Sequence, residues 1–188
     1  WSATWNPDRA QQVRDQLIGT EVAYAQQAYA GLQSGLDDYG ARWISDRARV
    51  CEALADDARA RDIALACLDE QRRTVERLLE MVGDHQRQTV EHLADATTAL
   101  RPPSTCLRPH SFDEPTAPAL ARQAAGLRQQ LSDATALHAA GRWSDAADRS
   151  AEIAAVAQEA GLAKLHNEAR LQHGRSLRSM GQLQDARD

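Results

Sequence analysis

The sequence predicts an all-α protein, and the main reason is its amino-acid composition. Ala, Leu, Arg, Gln, Asp and Glu dominate the 188 residues, whereas aromatic residues make up only 4%. Most of the dominant residues are strong helix formers, and long runs of β-branched residues are absent. The pattern along the chain, described element by element below, predicts an N-terminal antiparallel helical bundle or hairpin followed by an α-solenoid.

The first two predicted helices follow from capping residues and apolar spacing. Asn6 as N-cap and Pro7 at the first helical position predict a short helix that ends near Gly19. Thr20 is expected to cap a second, long helix. The N-terminal Trp1 and Trp5 are expected to fold back onto these first helices. The apolar residues of the long helix recur at spacings of three and four, as in a coiled-coil seam: Val22, Ala25, Tyr29, Leu32, Leu36, Tyr39, Trp43 and Val50.

A second apolar stripe predicts an antiparallel partner for the long helix. Its residues are Ile63, Cys67, Leu68, Val75, Leu78, Leu79 and Val82, and the helix is expected to end at Gly83. Two helices that a tight turn connects pack antiparallel. A third helix is predicted over about 84–100, so residues 1–100 are assigned to a helical bundle domain.

A proline-rich segment separates this domain from the rest of the chain. Five of the six prolines lie within 101–118, which therefore cannot form a continuous helix and is assigned as a connector. Three further helices are predicted over about 119–140, 144–160 and 163–180, each followed by a glycine that ends it. Residues 119–188 thus form the second predicted domain, a set of helical repeats.

An internal repeat defines the unit of this second domain. The phrase "GRWSDAAD" at 141–148 returns as "GQLQDARD" at 181–188, a period of 40 residues. Glycine permits the positive φ that ends the first helix, a large apolar residue fills the hairpin, and alanine allows close helix approach. The aligned pairs are Leu137 with Leu177, Gly141 with Gly181, Trp143 with Leu183, Asp145 with Asp185, and Ala146 with Ala186. We expect a chain cut from a longer array, with its second repeat truncated.

The repeat resembles the tetratricopeptide repeat over 119–188. Gly141 and Ala146 hold the turn glycine and the small position of the second helix, while Ala134 and Gly174 match the small position of the first helix. The resemblance implies a concave groove, built mainly from the first helix of each unit, that binds a protein or peptide ligand.

Four phrases in order resemble a longer arrangement. They are "VCEA" at 50–53, "ACLDEQR" at 66–72, "TALRPPSTC" at 98–106 and then "AAGRWSDA" at 139–146. Together they are similar to the region after the kinase domain of bacterial Hanks-type serine/threonine protein kinases with tetratricopeptide repeats. The resemblance implies a regulatory or sensor segment in the extracytoplasmic, periplasmic part of a single-pass inner-membrane protein. The alternative is a cytoplasmic tetratricopeptide scaffold or regulator without a kinase domain.

The sequence offers no catalytic machinery of its own. The Gly-rich phosphate loop, the H-R-D catalytic loop and the D-F-G metal-binding motif of a kinase are absent from these residues. ATP and Mg²⁺ are therefore expected only in a catalytic domain outside this fragment, and no cofactor is expected here. A small helical enzyme that binds a metal or ligand is the competing class.

Metal, nucleic-acid and membrane binding are not expected from the residue pattern. His85 and His92 are seven residues apart, as are His166 and His173, so each pair is separated by roughly 10 Å along a helix, too far for one zinc ion. The net charge of −5 is interspersed, without a basic stripe for nucleic acid. Apolar stretches fall far short of the roughly 20 residues that cross a bilayer. The residue pattern leaves open whether two copies of the chain associate as a homodimer.

The odd number of cysteines leaves two interpretations open. Cys51, Cys67 and Cys106 are either three buried thiols, or they indicate an oxidising compartment with one partner outside these residues. If the turn between the two long helices centres near Arg59, a Cys51–Cys67 disulfide is geometrically reasonable. In the kinase region that the chain resembles, a further cysteine often precedes the leading Trp, which implies an outside partner for Cys106.

Overall fold

A computed structural model describes residues 1–82, 87–107, 117–183 and 186, without the side chains of 87–89. These residues contain eight α-helices and no strand, which confirms the all-α prediction. The chain forms two compact units, 1–112 with 139–141 and 113–138 with 142–188. The connector at 101–118 stays a prediction, because 108–116 lie outside the described residues.

Helix α1, Pro7–Ile18, begins and ends where the sequence predicts. The Asn6 side chain accepts a hydrogen bond from the Arg9 amide at 2.9 Å, and Gly19 is the C-cap. The prediction that Thr20 caps the next helix is wrong. The Thr20 hydroxyl instead donates to the Leu17 carbonyl at 2.6 Å, and Glu21 takes a positive φ of 55° that no helix accepts.

Helices α2, Ala25–Ala53, and α3, Ala58–Met81, form the predicted antiparallel pair. The Trp43 indole donates to the Leu68 carbonyl at 2.8 Å, and the Tyr39 hydroxyl lies 3.3 Å from the Gln71 amide oxygen. Residue numbers rise along α3 as they fall along α2, which defines opposite directions. The predicted apolar stripes supply much of the buried interface, including Leu32, Leu36, Val50, Val75, Leu78 and Leu79.

The third helix of the first unit is not continuous as predicted. The described part of it consists of α4, Arg87–Leu93, and α5, Ala96–Ala99, separated at residues 94 and 95. The break occurs because the Asp95 amide donates to the His92 carbonyl, three residues back, instead of continuing the α-helical ladder. The predicted helix end at Gly83 and the start at 84 lie outside the described residues.

The N-terminal segment folds back onto α2, as predicted. The Trp1 ring packs at centroid distances of 5.8 Å from Tyr39 and 6.0 Å from Trp43. Trp1 lies directly over Gly40, where an added Cβ would meet the indole nitrogen at 2.1 Å. The Trp5 indole donates to Asp37 at 2.8 Å. The two tryptophans therefore hold residues 1–5 against the long helix.

The predicted Cys51–Cys67 disulfide is wrong, because Cys67 bonds to Cys106 with their Cα atoms 5.7 Å apart. The turn between α2 and α3 spans 54–57, earlier than the assumed centre at Arg59. Cys51 therefore lies in the last turn of α2, whereas Cys67 is nine residues into α3, roughly 14 Å along the axis. Cys51 is an exposed free thiol.

The expectation that the partner of Cys106 lies outside this sequence is also wrong. A 3-10 helix, Pro103–Leu107, carries Cys106 onto α3. The Gln71 amide nitrogen holds the same segment, lying 3.1 Å from the Thr105 hydroxyl, and the Tyr39 hydroxyl donates to the Arg101 carbonyl at 3.0 Å. The segment after α5 is thus part of the first unit and joins both long helices.

The second unit consists of α6, Pro118–Ala139, α7, Trp143–Glu159, and α8, Ala163–Ser179, close to the predicted bounds. One apolar core joins all three helices. It contains Leu127, Leu131, Ile153, Ala154, Ala157, Leu165 and Ala169, with the half-buried Leu162 packed against it.

Candidate interaction surface of the second unit

Glycines with positive φ end each helix of the second unit. The φ angles are 78° at Gly141, 71° at Gly161 and 79° at Gly181, a region that L side chains rarely adopt. The amide after each glycine donates to the carbonyl five residues earlier, at distances of 2.9, 2.8 and 3.0 Å. These carbonyls belong to Leu137, Ala157 and Leu177. This Schellman arrangement caps the helix and lets the chain reverse.

The small residues of the repeat lie where helices approach closely. Ala134 on α6 and Ala146 on α7 are both fully buried. Forty residues later, a Cβ at Gly174 would lie 3.4 Å from the Ala186 carbonyl oxygen, so Ala186 lies over this position of α8. A large side chain at any of these positions would separate the chain segments that pack there.

The large apolar residues of the repeat differ between its two copies. Leu137 and Trp143 are half-buried and Leu177 is buried, whereas Leu183 is 58% exposed. The prediction that Leu183 fills the second hairpin is therefore wrong. Its amide donates to the Gly181 carbonyl at 3.0 Å, and it lies in a turn, whereas Trp143 occupies the first turn of α7.

A polar contact joins α6 directly to α8, the two helices that are equivalent under the repeat. The Nδ1 atom of His138 lies 3.2 Å from the Ser176 hydroxyl oxygen, and that hydroxyl donates to the Gln172 carbonyl at 3.0 Å. Serine has one hydroxyl proton, so both hydrogen bonds form together only when the Ser176 oxygen accepts from Nδ1 of His138. The contact fixes the register between the two helices.

The surroundings of His138 disfavour the protonated form of its imidazole. Burial lowers its pKa below the usual value of 6.5, and the nearby guanidinium groups of Arg175 and Arg178 lower that pKa further. Leu171, Arg175 and Arg178 follow one another at helical spacings of four and three, so they share one face of α8. All three side chains are exposed. An apolar and cationic stripe therefore runs along α8 beside His138.

His166 forms a structural contact between two helices of the second unit. The Nδ1 atom of His166 lies 2.9 Å from the Ala154 carbonyl oxygen, so His166 fastens α8 to α7. His85 lies outside the described residues, and within them no group of three or more His, Cys, Asp or Glu side chains is arranged to hold a metal ion.

Sequence reasoning missed the polar contact between α6 and α8, although a signal for it exists. Leu165, Ala169, Gln172 and Ser176 are spaced like one apolar stripe of a helix, and all four are buried. Two polar residues within an apolar stripe indicate that a polar group faces them. That polar group is His138 on α6.

Comparisons with known proteins found no match to this chain. No family model, no curated protein and no solved structure matches it. Among the described helices, none combines the length and apolar character required to cross a membrane.

Proposed function

We propose that this chain is a non-catalytic regulatory and protein-interaction segment that recognises a peptide or protein partner through tetratricopeptide-like helices. One observation carries the proposal. Two helices that the sequence repeat makes equivalent, α6 and α8, contact each other through His138 and Ser176, and glycine turns end both of them. Side-by-side packing of the first helices of successive hairpins is the arrangement that exposes a continuous binding face.

The parent protein under this proposal is a transmembrane bacterial serine/threonine kinase whose extracytoplasmic part contains the chain. The resemblance of four ordered phrases supports the kinase assignment. The Cys67–Cys106 disulfide supports the compartment, because disulfides persist in oxidising environments such as the periplasm. ATP and Mg²⁺ belong to the catalytic domain of that parent. The coding sequence upstream of Trp1 tests this assignment: kinase motifs and a hydrophobic span support it, and their absence refutes it.

The second candidate is a cytoplasmic tetratricopeptide scaffold or regulator without a kinase. The exposed free thiol of Cys51 favours this candidate, since exposed thiols remain reduced in the cytosol. In an oxidising compartment the same thiol would be expected to join two copies of the chain, which would produce the homodimer considered from the sequence. Non-reducing electrophoresis of protein exported to the periplasm separates these outcomes.

Capture of a partner tests the recognition proposal with a matched pair of variants. Leu171 on α8 is 56% exposed and Ile44 on α2 is 55% exposed, so neither Leu171→Glu nor Ile44→Glu disturbs a core. The full chain is cross-linked to envelope and cytosolic extracts, and captured proteins are identified by mass spectrometry. We expect one partner to be lost with Leu171→Glu and retained with Ile44→Glu. Equal capture by both variants would refute recognition through the repeat helices.

A further inference from the structure

The C-terminal half of the long helix α2 presents a largely apolar stripe to solvent. Its members are all exposed and recur at spacings of three, four and three residues: Ala41, Ile44, Ala48 and Cys51. Ile44 is a large apolar side chain, and 55% of it is exposed. The Trp5 indole binds Asp37, one heptad before Ile44, so the free stripe begins at residue 41. Residues at this spacing occupy positions a and d of two heptads, the pattern by which two helices pair.

The α2 stripe ends in a free thiol. Cys51 is exposed and unpaired, although the same chain forms the Cys67–Cys106 disulfide. A protein that keeps one disulfide folds under oxidising conditions, where an exposed odd cysteine indicates pairing between molecules. In a two-fold dimer, residues on the symmetry axis meet their own equivalents, so the thiol that Cys51 would meet is Cys51 of a second copy.

The length of α2 selects the parallel orientation for this dimer. If the two-fold axis crossed the helices at Cys51, they would overlap over a few residues and leave Ile44 exposed, because α2 ends at Ala53. If the axis crossed them near residue 46, Ile44 would be covered, but the two Cys51 residues would be roughly 15 Å apart along the helices. A parallel pair, with the axis along the helices, both covers Ile44 and brings the two thiols together.

Charges beside the α2 stripe are complementary in the parallel orientation. With Ala48 at heptad position a, Arg47 is at position g and the exposed Glu52 is at position e. In a parallel pair, position g of one helix faces position e of the next heptad on the other helix. Arg47 therefore faces Glu52 of the second copy, twice by symmetry. Within its own chain, Arg47 has a long ion pair with Asp69, 3.7 Å between Nη1 and Oδ1, and 42% of its side chain is exposed.

We propose that residues 41–52 of α2 form a parallel two-fold interface with a second copy of the chain, which a disulfide between the two Cys51 residues completes. The inference goes beyond the proposed function, since it concerns self-association of the first unit. A stripe roughly 15 Å long is too short to bury the about 1,200–2,000 Å² that stable interfaces bury. The pair is therefore transient until the disulfide forms.

The disulfide forms by exchange with a low-molecular-weight disulfide such as oxidised glutathione. The Cys51 thiolate of one copy attacks oxidised glutathione, forms a mixed disulfide and releases one glutathione. The Cys51 thiolate of the second copy then attacks the protein sulfur of the mixed disulfide and releases the second glutathione. Two protein thiols are oxidised, one oxidised glutathione is reduced to two thiols, and the two protons pass from the protein to glutathione.

Covalent dimer formation by the full chain in a glutathione redox buffer tests the apolar contact. Non-reducing electrophoresis and light scattering follow the dimer, which Cys51→Ser should not form. Ile44→Glu places two carboxylates together beside the thiols and should slow dimer formation strongly. Its matched control is Ile18→Glu on α1, where the isoleucine is 45% exposed, and this variant should form the dimer at the rate of the parent.

A second matched pair tests the orientation. Glu52→Arg places an arginine opposite Arg47 of the second copy and should slow dimer formation roughly fivefold, as the loss of two exposed ion pairs implies. Asp56→Arg makes the same charge change in the exposed turn after α2 and should leave the rate unchanged. Each rate is divided by the rate of Cys51 alkylation with iodoacetamide, which removes differences in thiol reactivity. A monomer with glutathione bound to Cys51, or equal rates within either matched pair, would overturn the inference.

Discussion

Removal of the Cys67–Cys106 disulfide should destabilise the first unit strongly. The bond closes a loop with a sequence separation of 39 residues. In the chain-entropy description, a loop of this length contributes about 4 kcal/mol to the free energy of unfolding. That is a large fraction of the stability of an ordinary domain. Gln71 would keep its hydrogen bonds to the Pro102 carbonyl and the Thr105 hydroxyl, but on unfolding these are exchanged for bonds to water, so they contribute much less.

The measurement is urea unfolding of Cys67→Ser/Cys106→Ser against the parent, both with Cys51→Ser to prevent disulfide exchange. Three of the four tryptophans lie in the first unit, so Trp143→Phe in both proteins makes the fluorescence specific to that unit. We expect the midpoint to fall and the slope to rise, because the unfolded chain without the cross-link is less compact and exposes more surface, and dithiothreitol should lower the parent's midpoint similarly. A loss below about 1 kcal/mol, or equal sensitivity of the reduced and oxidised parent, would refute the reasoning.

Three further predictions concern single side chains. Gly40→Ala should unfold at a lower urea concentration than Gly126→Ala, with a free energy of unfolding lower by about 1–3 kcal/mol. The methyl group added at position 40 displaces Trp1 from two aromatic neighbours, whereas position 126 has open space. Equal midpoints would contradict this. Burial and neighbouring arginines lower the pKa of His138, so the unfolded state binds the proton at a higher pH than the folded state does. The free energy of unfolding should therefore fall as the pH drops through 6.5, and it should fall less in His138→Asn. Urea unfolding at a series of pH values measures both. Burial raises the pKa of Tyr39, so the phenol ionises above about pH 10 in the unfolded state but stays protonated in the folded state. The free energy of unfolding should therefore fall above about pH 10, and it should fall less in Tyr39→Phe. Identical alkaline profiles would contradict this.

The helices of this chain were predictable where local signals determine them. Asn6 and Pro7 start α1 because capping and the fixed φ of proline act within a few residues. The apolar spacing of α2 and the glycines at 141, 161 and 181 predicted a long helix and three helix ends. These features depend on the backbone conformation of neighbouring residues, which the sequence contains directly.

Features that depend on tertiary contacts were not predictable in the same way. The Cys67–Cys106 pairing depends on where a proline-containing segment folds back, and a shift of the turn by a few residues was enough to suggest Cys51 instead. The start of α2 depends on the positive φ of Glu21, which no residue preference indicates. The candidate surface depends on a contact between His138 and Ser176 across 38 residues.

The central claim is that the exposed face of α8 binds the partner, and methyl NMR tests it most directly. Spectra of the full chain with labelled Leu and Ile methyl groups are recorded with and without the captured partner. The account predicts that the Leu171 methyl resonances shift or broaden, while those of Ile44 on the first unit stay unchanged. Shifts at Ile44 with none at Leu171 would contradict it.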